Sequence, residues 1–377
     1  MRFDPSDAIV VVGATGAVGR EALSILARAG ASPHSVRAVA SERSVGRDVP
    51  FGAARIQVRA LNDAVFGGAA LALFAADAET ARRWAPVALS AGARVVDNSS
   101  AFRMDPATPL VIPEVNGESI GTARLVANPN CSTILLLMAL DRLRRAFGVR
   151  SVTVSTYQAV SGAGLDAIGE LRAHTRAALA GRTLPSVVFR QTCAFNVFNH
   201  ESPVDASDGL NIEERKMINE SRRIWDDVDL PISPTCVRVP VVRAHSQSVS
   251  VTLASPATEK EVREQFRAAP GIEIIDDRES GRFPTPLCAS GTDPVFIGRI
   301  RPDPGAPIDA SGRTNRFQLF ACMDQLRKGA ALNALQIGER LLSRDTHSLY
   351  IPPAHPPHTD NSAARSEPLI TPSKFAS

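Results

Sequence analysis

The sequence predicts a two-domain α/β protein: a doubly wound parallel sheet, then an α+β unit built on a mostly antiparallel sheet. Three observations carry that prediction. Residues 8–12 (AIVVV) form an unbroken apolar run that ends in glycine, the pattern of a strand buried on both faces. Strand-like and helix-like segments then alternate as far as residue 96, as in βαβ units. Beyond residue 150 the pattern changes to longer strands with few intervening helices. A length of 377 residues suits two domains, each with a core of its own.

Each element follows from its local pattern. Helical periodicity runs over 17–29 and is closed by Gly30. Segments 36–40 (VRAVA) and 71–74 (LALF) read as the second and third strands, 78–90 as a helix, and 94–96 as a further strand. Another helix is expected to begin near Cys131. After it, 151–158, 236–242 and 248–254 read as strands, and 212–225 as a helix. Segment 324–342 reads as a long amphipathic helix that packs back on the first domain. The expected division is therefore 1–131 for the first domain, joined by 324–342, and 132–323 for the second. Residues 343–377, rich in proline and polar side chains, are predicted to be disordered.

Composition narrows the classes. The chain is 44% hydrophobic and 21% charged, with a net charge of +3. That charge is small for nucleic-acid binding, and no basic run with interleaved aromatics is present. Five cysteines (Cys131, Cys193, Cys236, Cys288 and Cys322) are scattered without metal-ligand spacing, so neither a disulfide framework nor a metal site is expected. The N-terminal residues lack the basic and apolar regions of a secretory signal. The apolar segment ILLLMAL falls far short of the roughly 20 residues of a membrane span. A reducing cytoplasm is the expected setting, with no membrane or nucleic-acid partner.

Gly13-Ala14-Thr15-Gly16-Ala17-Val18-Gly19 lies between the first strand and the first helix. Glycines there permit a tight turn, close approach of backbone N–H groups to a pyrophosphate, and packing of helix on sheet. The helix N-terminus then stabilises phosphate charge. Gly13, Thr15, Gly16, Ala17 and Val18 are the candidate cofactor contacts of a Rossmann-type dinucleotide site. The second strand ends in Ser41-Glu42-Arg43-Ser44. Ser41, Arg43 and Ser44 suit a 2′-phosphate and favour NADP, whereas Glu42 is the kind of acid that binds the ribose of NAD.

Cys131, in Asn130-Cys131-Ser132-Thr133, should lie in the first turn of a helix, where the dipole favours the thiolate. Taken alone it reads more readily as a small buried hydrophobe. The other four cysteines have no such setting.

Six ordered blocks decide the matter: GATGAVG, SSAFRMD (99–105), NPNCST (128–133), TYQAVSGAG (156–164), EERKM (213–217) and RVPVVRAHS (238–246). Together they resemble the aspartate-semialdehyde dehydrogenase family over roughly residues 8–342. FNVFNHESPVD resembles one branch of that family more than the other. The resemblance implies NADPH-dependent reduction of L-aspartyl 4-phosphate to L-aspartate 4-semialdehyde, with release of phosphate. That step serves lysine, methionine, threonine and diaminopimelate synthesis. It also implies a second domain that is both catalytic and dimerising, in a homodimer or homotetramer.

By the same resemblance, Cys131 is the nucleophile, His245 the acid–base residue, and Gln158 the group orienting cysteine and substrate. The chemistry agrees, since a thiolate divides a difficult displacement into two steps and imidazole titrates near neutrality. The substrate carries a carboxylate, an ammonium and a phosphate. Arg238 suits the carboxylate as a bidentate donor, Glu213 the ammonium, and Arg103, Lys216 and Asn130 the phosphate. Without the family match, Glu213, Lys216 and Glu220 read as a solvated helical face. Ser161 and Gly162 match positions near the nicotinamide and cysteine, and Asn333 a position near the cofactor. The nearest alternatives are N-acetyl-γ-glutamyl-phosphate reductase and a non-catalytic paralogue acting as a binding subunit. Glu213 speaks against the first, because an acetylated substrate has no ammonium. The presence of both Cys131 and His245 speaks against the second.

Overall fold

The computed structural model describes residues 3–4 and 7–343. Its first sheet has six parallel strands, in the spatial order Arg59–Ala60, Val36–Ala40, Ile9–Val12, Leu71–Phe74, Arg94–Asp97 and Leu125–Ala127. The continuous apolar run of the first strand has a direct cause. Ile9 and Val11 pack into one core, and Val10 and Val12 into another on the opposite face. The Ala17–Arg28 helix and the C-terminal Leu332–Leu342 helix supply the first core, the Ala78–Ser90 helix the second. Helices on both faces make the sheet doubly wound. Ile9–Val12 lies between Val36–Ala40 and Leu71–Phe74, so chain order reverses there. Such switch points leave a crevice at the carboxyl ends of the strands, the usual ligand site of open α/β sheets.

The second sheet has seven strands: Phe198–Asn199, Ile232–Arg238, Val149–Gln158, His245–Ala257, Thr314–Met323, Val295–Pro302 and Ile272–Ile274. It is mixed but mainly antiparallel, with parallel pairing only of Ile232–Arg238 with Val149–Gln158 and of Ile272–Ile274 with Val295–Pro302. The Cys131–Phe147 helix packs into its core through Ile134, Leu135, Leu137 and Met138, among others. Among the described residues, no helix is long and apolar enough to cross a membrane.

Two elements differ from the sequence prediction. The strand expected over 236–242 lies at Ile232–Arg238. Pro240 has no N–H to continue a ladder, and the chain leaves the sheet just before it. The helix expected over 324–342 is α-helical only at Leu332–Leu342, preceded by a π-helical turn at Arg327–Ala331. Asp324 is the reason. Its buried carboxylate accepts from the N–H groups of Leu326 and Gly291 and from Arg243, which turns the chain out of the preceding strand. Apart from Ser343, which caps the last helix, the tail over 343–377 lies outside the described residues.

Candidate active site

The glycine-rich turn is held by sterics. Gly13 has φ +84°, and a Cβ there would stand 2.2 Å from the Ala75 carbonyl oxygen. A Cβ on Gly19 would stand 2.2 Å from the Gly13 oxygen, so helix and turn pack at backbone distance. Gly16 is the N-cap of the Ala17–Arg28 helix and has no side chain to close it. That start therefore offers its first N–H groups to an anion, with Ala17 and Val18 in the opening turn. Gly13 and Ala14 donate to the Val39 oxygen at 2.8 and 3.0 Å, tying the turn to the end of the second strand. Ser41, Glu42 and Arg43 follow there and are exposed, whereas Ser44 is buried. The residues present fit a dinucleotide.

Cys131 is the first residue of the Cys131–Phe147 helix. Asn130 is its N-cap, and the amide oxygen accepts from the N–H groups of Ser132 and Thr133 at 2.9 and 3.3 Å. The cap is itself fixed at both ends. Its Nδ2 donates to Glu213 at 2.9 Å, and its backbone N–H donates to Glu220 at 2.6 Å. Gly329, in the π-helical turn, closes the other side, where a Cβ would lie 3.1 Å from the Cys131 Cβ.

Glu213 is the centre of the cluster. Its Oε1 accepts from Asn130 and from Gln158 Nε2 (3.1 Å), and its Oε2 from Lys216 at 3.2 Å. Burial works against this charge, but Lys216 first, then His200 and the two amides, hold the carboxyl down at about 2. Arg103 pairs with Glu220 at 3.1 Å and also donates to the Asn128 and Asn98 oxygens. Arg238 does find a carboxylate, but inside the protein: Nη2 donates to Glu201 Oε1 at 2.6 Å and Nε to Oε2 at 3.2 Å. Its Nη1 donates to the Ala159 oxygen at 2.8 Å, and a second Nη2 contact reaches His200 Nε2 at 3.0 Å.

His245 is buried at the start of a strand of the second sheet. The Ala159 N–H donates to its Nδ1 at 3.0 Å. An Nδ1 that accepts is unprotonated, so the neutral ring carries its proton on Nε2. That Nε2 is buried and has no partner among the described residues. It faces Gly162: a Cβ there would stand 3.3 Å from both His245 Nε2 and Arg238 Nη1. Burial, reinforced by Arg238, pushes the imidazole down to about 3, so at neutral pH it is an uncharged donor.

The thiol corrects the sequence expectation of a thiolate. Burial, followed by the charge of Glu213, pushes Cys131 up to about 11, and Arg103, Arg238 and Lys216 only partly offset them. One turn of helix dipole does not overcome desolvation beside a carboxylate. The resting side chain is therefore a protonated thiol at neutral pH.

The remaining candidates fall into two groups. Ser161 is buried and accepts from Gln325 Nε2, and Gln325 Oε1 accepts from the Ala244 N–H beside His245. Asn333 is fully buried, with Nδ2 on Asn128 Oδ1 (2.7 Å) and the Val111 oxygen, and Oδ1 accepting from Lys328 at 2.8 Å. Both ends of its amide are thus held. Cys131, Gln158, His245, Asn130, Glu213, Lys216, Arg103 and Arg238 form one cluster, whereas Ser41, Arg43 and Ser44 lie away from it, just after the second strand. Sequence reasoning missed Glu201, His200, Gln325 and the pairing of Arg103 with Glu220. Only Glu220 had a local signal, its place one helical face on from Glu213. Cys193, Cys236 and Cys322 are fully buried, and Cys288 is exposed.

A doubly wound sheet with an open glycine turn is thus joined to a mixed sheet, with a cysteine at a helix start and a buried histidine in one cluster. A family model described as semialdehyde dehydrogenase, NAD binding domain, matches residues 8–123, and one described as semialdehyde dehydrogenase, dimerisation domain, matches residues 140–328. The aspartate-semialdehyde dehydrogenase of Synechocystis sp. is 40% identical over 337 residues, covering 89% of this chain and 97% of that protein. That of Aquifex aeolicus is 41% identical over 343 residues, with the same coverage of 89% and 97%. The crystal structure of aspartate semialdehyde dehydrogenase II from Vibrio cholerae, complexed with ASA, aligns with a TM-score of 0.82 at 36% identity, covering 88% of this chain and 97% of that one. The chain belongs to the aspartate-semialdehyde dehydrogenase family.

Proposed function

We propose that the chain reduces L-aspartyl 4-phosphate to L-aspartate 4-semialdehyde with NADPH, reversibly, through a thioester on Cys131. The observation that carries this reading is the Glu213 node. A single buried carboxylate is hydrogen-bonded to the cap of the cysteine helix, to Gln158 and to Lys216. It offers the substrate ammonium an acid that is coupled directly to the nucleophile. Neutralising Glu213 removes the second of the two causes that raise the thiol, so the cysteine becomes more acidic when an ammonium-bearing substrate is in place.

In the cycle, Cys131 sulfur bonds to the acyl carbon as its S–H proton passes to the departing group, the carbon–oxygen bond to phosphate breaks, and inorganic phosphate leaves with that bonding pair and the proton. The Nε2–H of His245 donates to the acyl oxygen as charge develops on it, the role of a preorganised donor in a site closed to water. A bound NADPH would supply the hydride that takes the thioester to the aldehyde level. Cys131 then departs as the aldehyde forms and takes up the proton that the overall reduction consumes, while His245 keeps its own at Nε2. Arg238 serves the α-carboxylate, and Lys216, Arg103 and Asn130 the phosphate. Gln158 steadies Glu213 and so orients the cysteine and substrate, while Ser161 and Gly162 line the approach of the nicotinamide.

Gly13, Thr15, Gly16, Ala17 and Val18 are proposed to hold the pyrophosphate, with Ser41, Arg43 and Ser44 supporting NADP over NAD. The missing side-chain cap at Gly16 supports the pyrophosphate site, and the exposed Arg43 supports the 2′-phosphate of NADP. Asn333 acts through Asn128 as a support for the cofactor side of the site. Apolar side chains left exposed at Leu179, Val187, Phe195 and Val197 support self-association, as a homodimer or homotetramer. A cytoplasmic location fits a chain whose chemistry needs a free thiol.

The test is steady-state turnover of L-aspartate 4-semialdehyde with NADP, with NAD for comparison. NADPH formation should require inorganic phosphate and exceed turnover of N-acetylglutamate semialdehyde. A preference for the acetylated substrate would transfer the chain to the acetylated-substrate reductases.

A further inference from the structure

All three cations of the cluster are already matched inside the protein: Lys216 with Glu213, Arg103 with Glu220, and Arg238 with Glu201. Two of the acids, Glu213 and Glu220, sit on the Ile212–Trp225 helix and are buried. Glu201 is different. It lies in the connection after the short Phe198–Asn199 strand, and its side chain is 22% exposed. Both of its oxygens accept from Arg238.

Arg238, by contrast, is fixed on every side. It is 2% exposed, ends a strand in the sheet, stacks on Phe189 at 5.5 Å, and is held by the Ala159 oxygen and His200. Of the five N–H groups of a guanidinium, Glu201 takes one on Nε and one on Nη2, the arrangement of a bidentate carboxylate. Ala159 takes one on Nη1, and His200 Nε2 lies 3.0 Å from Nη2. A single Nη1–H remains, on the atom that faces Gly162 together with His245 Nε2. A substrate carboxylate cannot form a two-bond pair with Arg238 along the Nε–Nη2 edge while Glu201 occupies it.

We infer that Glu201 is a built-in carboxylate latch on Arg238, which the α-carboxylate of the substrate displaces on binding. This inference rests on the proposed substrate. Exchange of one carboxylate for another keeps the buried guanidinium paired, so no isolated charge is left in the interior. The acid that leaves is the one with access to water and can be rehydrated. The arginine that stays is the one locked by the sheet. Because only the unlatched fraction binds the carboxylate, the latch weakens apparent affinity by that fraction and makes Glu201 a determinant of selectivity. An aldehyde without the α-carboxylate gains nothing from opening it.

Glu201→Gln should lower the KM for L-aspartate 4-semialdehyde by about threefold to tenfold, since a neutral amide holds the guanidinium less tightly. Glu201→Ser, which cannot reach Arg238, should do the same. Neither variant should lower the KM for 3-aminopropanal, the same chain without the carboxylate. Binding of succinate, followed by calorimetry without turnover, should tighten by a similar factor in both variants. If KM rises or stays level and succinate binding does not tighten, the latch is wrong and Glu201 merely orients Arg238. Tightened succinate binding in an enzyme inactive on the semialdehyde would instead uphold the latch and overturn the proposed substrate.

Discussion

At the scale of single residues, the site is organised by what surrounds the cysteine rather than by the cysteine itself. The half-buried thiol stands high, at about 11, because it is desolvated and because Glu213 is ionised beside it. Glu213 remains a carboxylate above about 2. Replacing Glu213 with Gln removes a cause that raises the thiol and leaves the three cations that lower it. The pH midpoint for alkylation of Cys131 by iodoacetamide should therefore shift downward in Glu213→Gln, by about one unit or more. An unchanged midpoint would mean that the carboxylate does not govern the thiol. His245 shows the same rule with opposite sign: burial removes its charge and leaves an Nε2–H donor.

At the scale of elements, the helix start matters most. Asn130 caps the Cys131–Phe147 helix and is in turn gripped by Glu213 and Glu220. Asn130→Ala should cost about 1 kcal/mol of stability, the ordinary value of a lost cap, measured by chemical denaturation. It should lower kcat far more than that figure suggests, because the same amide links Glu213 to the nucleophile. A loss confined to stability would reduce Asn130 to a cap alone. Several elements were legible from pattern. The strand Leu71–Phe74 and the helices Ala78–Ser90 and Ile212–Trp225 have the bounds expected from hydrophobic periodicity, with Asn211 closing the latter in a capping box. Others were not. The strand Thr314–Met323 pairs with the sequence-distant His245–Ala257 as well as with Val295–Pro302, and the register shifts in both ladders. The π-helical turn at Arg327–Ala331 depends on a buried aspartate and on Gly329 meeting Met323 and Cys131, contacts that no local window contains.

At the scale of the whole molecule, the two domains are locked by charge. Glu21, on the helix that starts at the dinucleotide turn, pairs with Arg243 at 2.8 Å and with Arg327 at 2.6 Å. Arg243 pairs in addition with the fully buried Asp324 and stands two residues before His245. The turn that fits the cofactor is thereby joined to the strand start that carries the histidine. The sequence reveals which residues belong to the site because they recur in ordered blocks. It does not reveal their pairings: Arg238 with Glu201 and Arg103 with Glu220 are separated by 37 and 117 residues. The most direct test of a Cys131 thioester omits phosphate. Enzyme mixed with L-aspartate 4-semialdehyde and NADP should release NADPH in a burst equal to the enzyme present and then stop. Peptide mass analysis should find an aspartyl group on Cys131, discharged when phosphate is added. A Cys131→Ala variant that gives the same burst, or acylation at another residue, would contradict the mechanism.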